Sequence, residues 1–259
     1  MKPATLDPAA AWKALSMSTP PAGVFDPDDL VDLPLPARRL LANALSPGVE
    51  LTPTVILQME GEIRLKRWVP FRARQVLRAG SGFAWRATAG RTPVVFTGGD
   101  TYWLGRGSLD FRLWGLIPVV RAAGRDIDRS AAGRLAAETV AWAPQALTPQ
   151  MGAVWTGLDE SRAVVTLPAG EETTDVTVTV DTQGRLVDLS TRRWGDPVPG
   201  EFGLVPFGGG VTELTDFGGI RIATAGRVGW WWGTDRQPEG EFFHYRIRVA
   251  RFPSASDPS

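Results

Sequence analysis

The sequence predicts a mainly β, α+β fold: a large curled antiparallel sheet with one main helix packed on its inner face and a short N-terminal helix. Three observations predict it. Most of the chain alternates apolar and polar residues with the period of two that gives a strand one buried face. Short turns rich in Gly, Pro and Asp separate these runs, which favours antiparallel neighbours. One stretch, Ala131 to Ala143, has helical spacing instead, and its small residues suit close packing on a sheet.

In chain order, residues 1–32 are rich in Pro, Ala and Asp and read as a partly ordered arm lying on the domain. Pro36 opens a short helix through Leu45, with Ser46-Pro47-Gly48 as its stop. In the next run Val55, Leu57, Met59, Ile63 and Leu65 face one way, against Gln58, Glu60, Glu62, Arg64 and Lys66. Phe71, Ala73 and Leu77 continue the pattern in a second strand, and Phe83 and Trp85 in a third. Residues 92–107 read as a pair of short strands broken at Gly98-Gly99. The stretch from Ser108 then sets Leu109, Phe111 and Leu113 on one face and turns through a Gly/Pro corner toward the helix.

That helix organises the chain. Ser130 stands where an N-cap is expected, with Asp126 and Asp128 just upstream, where negative charge suits a helix N-terminus. Ala131, Leu135, Glu138 and Trp142 fall on one stripe, and Pro144 ends the pattern. The second half is again a meander. Asp181-Thr182-Gln183-Gly184 joins two strands, residues 194–210 read as a long Gly/Pro-rich loop, and Gly218-Gly219 joins two more. A last strand sets Phe243, Tyr245, Ile247 and Val249 against Phe242, His244, Arg246 and Arg248.

With 259 residues, 43% of them hydrophobic, and no composition break, residues 33–252 read as one domain with a frayed tail at 253–259. A sheet of eight or more strands must curl, and a helix over its inner face then encloses an apolar space. The 28 basic and 28 acidic residues cancel, which argues against nucleic acid as a partner. Without cysteine there is no disulfide framework, and the start has no apolar export segment, so a cytoplasmic setting is expected. No run has the length of a membrane span.

The stretches 61–77, 82–90, 100–124, 130–147 and 229–243 resemble the bacterial family DUF6544, of unknown function, over roughly Leu35 to Phe252. The block SAAGRLAAE at 130–138 is the most specific part. Where that family carries Pro-Ser after an Ile, this chain has Ala223-Thr224 after Ile222, so no site is carried over there. The family's layout is similar to the LolA/LppX type of lipoprotein carrier, which implies a half-barrel with helices on its concave face.

The chemistry narrows by elimination. One His and no Cys exclude a zinc site of the usual kind, so neither a metal nor another cofactor is expected. Gly203 to Gly210 lacks the Lys-Ser/Thr of a phosphate loop, and His244 falls on a polar face. Asp26 to Asp29 and Asp126 to Asp128 read better as turn and cap residues than as cation ligands.

The candidates that survive are Glu138, with Arg134 one turn before it, and Arg121 after the run LIPVV. Glu138 on an apolar stripe is either half of an ion pair with Arg134 or Arg121, or an acid/base group whose pKa is raised in a dry pocket. Eleven Trp add Trp142, Trp194 and the triplet Trp230, Trp231 and Trp232 as cavity walls, with Phe243. In a strand the triplet sends Trp230 and Trp232 to one face and Trp231 to the other. The first expectation is a protein binding an apolar small molecule or acyl chain, with the arginines and Glu138 handling a polar head. The second is a cofactor-free cyclase, isomerase or hydrolase using Glu138, with Arg121 or Arg134 stabilising charge. A third is an interaction module with a Trp-rich edge.

Overall fold

A computed structural model describes residues 6–170 and 172–255. Part of the arm (1–5) and part of the expected tail (256–259) lie outside the described residues. Thirteen strands form one antiparallel sheet that curls without closing. The strands are β1 (Thr54–Arg64), β2 (Trp68–Arg78), β3 (Gly82–Arg91), β4 (Val94–Trp103), β5 (Arg106–Leu113) and β6 (Ile117–Ala123). After the main helix come β7 (Val154–Gly157), β8 (Arg162–Ala169), β9 (Glu172–Val180), β10 (Leu186–Gly195), β11 (Gly203–Asp216), β12 (Arg221–Trp230) and β13 (Glu241–Arg251).

Their spatial order explains the topology. From the centre the chain meanders outward through β1 to β6, reaching one edge of the sheet. It crosses the inner face as a helix, restarts at the far edge as β7, and meanders back until β13 pairs with β1. Every connection within each half thus joins antiparallel neighbours, and a single crossover carries the main helix over the sheet.

Four helices lie among the described residues: α1 (Pro8–Ser16), α2 (Leu35–Ala44), α3 (Arg125–Trp142) and α4 (Gln237–Gly240). α1, inside the stretch expected as an arm, is capped by Asp7, whose carboxylate accepts from the Ala9 amide at 2.8 Å. Its Trp12 and Leu15 pack with Ile56, Val76, Ala84 and Trp103 on the outer face of the sheet. α2 is the expected short helix; it lies against β7, β8, β9 and β12 and buries Ala37, Leu40 and Leu41.

α3 is the expected lid, but it starts five residues before Ser130, after Gly124, whose φ of 117° ends the incoming strand. Asp126 and Asp128 therefore occupy its first turn, where the exposed amide dipoles favour them. Asp128 also accepts from the Gly107 amide at 2.6 Å, tying the helix start to β5. Ala131, Ala132, Gly133, Ala136 and Ala137 are all buried, as the small-residue stripe requires for close approach. The core lies between this helix and the inner sheet face, which carries Val55, Leu57, Leu77, Phe83, Val165, Val176, Val178 and Ile222.

Three expectations fail for one reason. Gly98-Gly99 does not break a strand: β4 runs through it, because a side chain at either position would strike the carbonyl of Trp85 or Asp110 on a flanking strand. Residues 203–210 are likewise strand, not loop; Trp232 lies across Gly208 and Gly210 there. The corner after Ser108 is a hairpin, β5 turning at Trp114-Gly115 into β6. In each case glycine marks a close approach or turn of paired strands rather than the end of an element.

Candidate functional site

Register assembles the site. Across β2, β3 and β4, Gln75 stands opposite Trp85 and Trp85 opposite Asp100, so three polar-bearing side chains form one row on the buried face. α3 crosses above this row with Arg134 and Glu138 one turn apart. Gln75 Nε2 donates to Glu138 Oε2 at 2.6 Å. Arg134 Nε donates to Glu138 Oε1 at 2.6 Å, and Arg134 Nη1 to Asp100 Oδ2 at 2.7 Å. The Arg134 guanidinium lies 4.4 Å over Phe83 and 5.7 Å over Trp85.

Each member of the row keeps one buried atom without a hydrogen-bond partner among the described residues: Gln75 Oε1, Trp85 Nε1 and Asp100 Oδ1. Such atoms are uncommon in a folded interior, where an unmade hydrogen bond costs about 1–3 kcal/mol.

A second arginine approaches from the other half of the sheet. Arg193 of β10 donates from Nε to the Ser130 carbonyl at 2.9 Å and from Nη2 to Ser130 Oγ at 3.3 Å. Ser130, expected as a cap, is thus an acceptor inside α3. The Arg193 guanidinium rests 4.5 Å over Phe207 and 5.0 Å over Trp230. It forms no ion pair among the described residues. Burial, and then the like charge of Arg134, bring its pKa down to about 9, so it stays a cation at neutral pH. Burial pushes the Asp100 carboxyl above its ordinary range although Arg134 and Arg193 pull the other way. Burial also opposes the charge on Arg134, but Glu138 and Asp100 outweigh it and hold the guanidinium protonated.

Asp100, Arg134, Glu138 and Arg193 border a cavity of about 280 Å³ between α3 and the sheet. Its apolar walls are Trp85, Trp142, Trp230, Phe207, Phe242 and Phe243, with Val228 and Ala141. Phe243 stacks on Phe71 at 4.8 Å, and Trp142 stands edge-on to Tyr245 at 5.5 Å while donating to the Ala223 carbonyl at 3.1 Å. A register shift between β12 and β13 at Val228/Gly229 breaks the expected alternation, and Phe242 joins Phe243 in the wall.

Of the residues singled out from sequence, the cavity brings together Glu138, Arg134, Trp142, Trp230 and Phe243. Arg121 is elsewhere. It sits on edge strand β6 with its side chain 62% exposed and pairs with Asp110 at 3.2 Å, not with Glu138. Trp194 donates to Asp126 at 2.9 Å beneath the Arg129 guanidinium, beside the first turns of α3. The triplet does not alternate, because β12 ends at Trp230 and Trp231 takes a φ of 54°. Trp231 lies under the Arg236 guanidinium at 3.9 Å, and Trp232 covers Gly208 and Gly210 on the face opposite Phe207.

Gln75, Asp100, Arg193, Trp85, Phe207 and Phe242 were missed. One signal was available: Gln75 interrupts the apolar positions Phe71, Ala73 and Leu77, and a polar residue on a buried face must have a partner. His244 stacks on Trp68 at 4.1 Å and meets Glu241 at 2.7 Å, outside the cavity. Asp26 caps a turn by accepting from the Asp28 amide at 3.0 Å.

No curated protein matches the chain in sequence. Among solved structures, a DUF1329 family protein from Desulfovibrio piger is similar at 12% identity and a TM-score of 0.41, over 80% of this chain and 88% of that one. A LolA superfamily protein from Nitrosomonas europaea is similar at 10% identity and a TM-score of 0.36, over 86% of this chain and 93% of that one. The DUF6544 profile matches residues 23–242, and the chain belongs to this family of unknown function.

Proposed function

We propose that the protein binds an apolar small molecule or a single acyl chain in the cavity between α3 and the sheet. The observation that carries this reading is the wall itself: seven aromatic side chains, Tyr245 among them, and a few aliphatic groups around about 280 Å³, with polar groups gathered beneath α3. Ligand sites combine these features, an apolar lining and a few convergent polar groups. The volume lies just below the common range of about 300–1,000 Å³ for small-molecule sites, which suits one chain or ring system better than a multi-chain lipid.

Glu138 serves this reading as a positioning group. Both its oxygens are already held, one by Arg134 and one by Gln75. Those bonds suit Glu138 to holding α3 over the sheet rather than to proton transfer, so the cofactor-free enzyme is the weaker reading. The lack of cysteine suits a cytoplasmic setting; among the described residues, no helix is long and apolar enough to cross a membrane.

One observation favours docking to another protein as an additional role. Trp114, Leu116, Ile117, Val119 and Val120 are all exposed on the β5–β6 hairpin, at the open edge of the sheet.

Titration with Nile red, an uncharged dye that brightens in apolar surroundings, tests the binding reading. Saturable binding of one equivalent, abolished by Ala141→Leu, is expected. Binding that does not saturate, or that Ala141→Leu leaves intact, overturns it.

A further inference from the structure

We propose that the cavity selects an amphipathic ligand with an anionic head, a carboxylate on an apolar chain, and that Arg193 receives that head while the aromatic wall takes the chain. This rests on the binding reading above and adds the chemical class of the ligand.

Four charged groups border the cavity, and they are not equivalent. Arg134 is paired in charge, with Glu138 at 2.6 Å and with Asp100 at 2.7 Å. Arg193 is not. Among the described residues its contacts are two hydrogen bonds to Ser130, both neutral, and the faces of Phe207 and Trp230. A guanidinium has five N–H donors in a planar fork, and those two bonds leave most of the fork unused. Ring faces attract a cation but do not neutralise it, and a buried charge is ordinarily paired. Phe207 and Trp230 also hold the guanidinium plane against the cavity wall, so that its rotamer freedom is already restricted before a ligand arrives.

The surrounding groups point the same way. Burial works against the charge of Asp100, which makes it the less favourable of the two carboxylates facing the arginines. Trp85 Nε1 is a buried donor without an acceptor on the same wall. An incoming carboxylate supplies the missing charge and has lone pairs to spare for such a donor. A cationic head would meet Arg193 and Arg134 together and is disfavoured by both. An uncharged alcohol can accept from the fork but leaves its charge unpaired.

The test is calorimetric titration of the full chain with decanoate and with decanol, which share a chain and differ in head charge. Decanoate is expected to bind the wild-type protein about tenfold or more tightly than decanol, the size of effect a charge-assisted hydrogen-bond pair gives. Arg193→Gln should remove that preference, bringing the two probes to similar affinity, and Arg193→Lys should restore part of it. Equal affinity of the wild-type protein for both probes overturns the proposal and leaves the binding reading standing. Failure of both probes to bind overturns the proposal together with the binding reading. Retention of the preference by Arg193→Gln shows that another group receives the head and also overturns it. The comparison of the two probes on the wild-type protein keeps the proposal open to refutation even if a variant fails to fold.

Discussion

Gln75 on β2 and Glu138 on α3, 63 positions apart in sequence, meet at 2.6 Å. That bond, with the two made by Arg134, fixes the height and rotation of the helix over the sheet and thereby the shape of the cavity. Glu138→Gln keeps the shape of the side chain but removes the charge that Arg134 faces. With both side chains only 14% exposed, and Asp100 still available to Arg134, a loss of about 2 kcal/mol in urea unfolding is expected, below the 3–5 kcal/mol of a wholly unpaired buried charge. Arg121→Ala provides the contrast. Its exposed pair with Asp110 should change stability by no more than about 0.5 kcal/mol and leave ligand binding unaltered.

Asp100 should give the protein a recognisable pH dependence. Its folded-state pKa is raised by burial, so over the window from the ordinary aspartate value of about 3.9 upward the folded state holds a proton that the unfolded chain has lost. Stability from this group therefore falls as pH rises through that window and levels off above the folded-state pKa. Asp100→Asn abolishes the titration. Unfolding followed at several pH values should show the wild-type protein losing ground to the variant as pH increases.

Trp142 and Trp230 should separate stability from binding. Trp142 is buried and donates to the Ala223 carbonyl, so Trp142→Ala is expected to destabilise by about 3–5 kcal/mol. Trp230 is half-buried, faces the cavity and makes no such bond. Trp230→Phe should cost about 1 kcal/mol or less in stability and weaken Nile red binding severalfold. Thermal unfolding and dye titration on the same samples check both.

Much of the architecture was legible because it rests on local pattern. The alternation of Val55, Leu57 and Met59, the Asp181 to Gly184 turn and the Ala-rich stripe of α3 each follow from residues close in sequence. What was not legible depends on register. Nothing near Asp100 in sequence says that Trp85 lies opposite it or that Arg134 reaches it. Arg193 and Ser130 likewise meet only because α3 crosses β10. The Trp triplet misled because alternation was extended two residues past the end of β12, and Arg121 because a run of apolar residues at an exposed edge reads like a buried strand.

Native mass spectrometry of the freshly purified protein, compared with the same sample denatured, tests the central claim most directly. A bound mass of a few hundred daltons that leaves on denaturation and is absent from Ala141→Leu is expected. A bare chain mass under both conditions, together with no saturable uptake of Nile red, would contradict it.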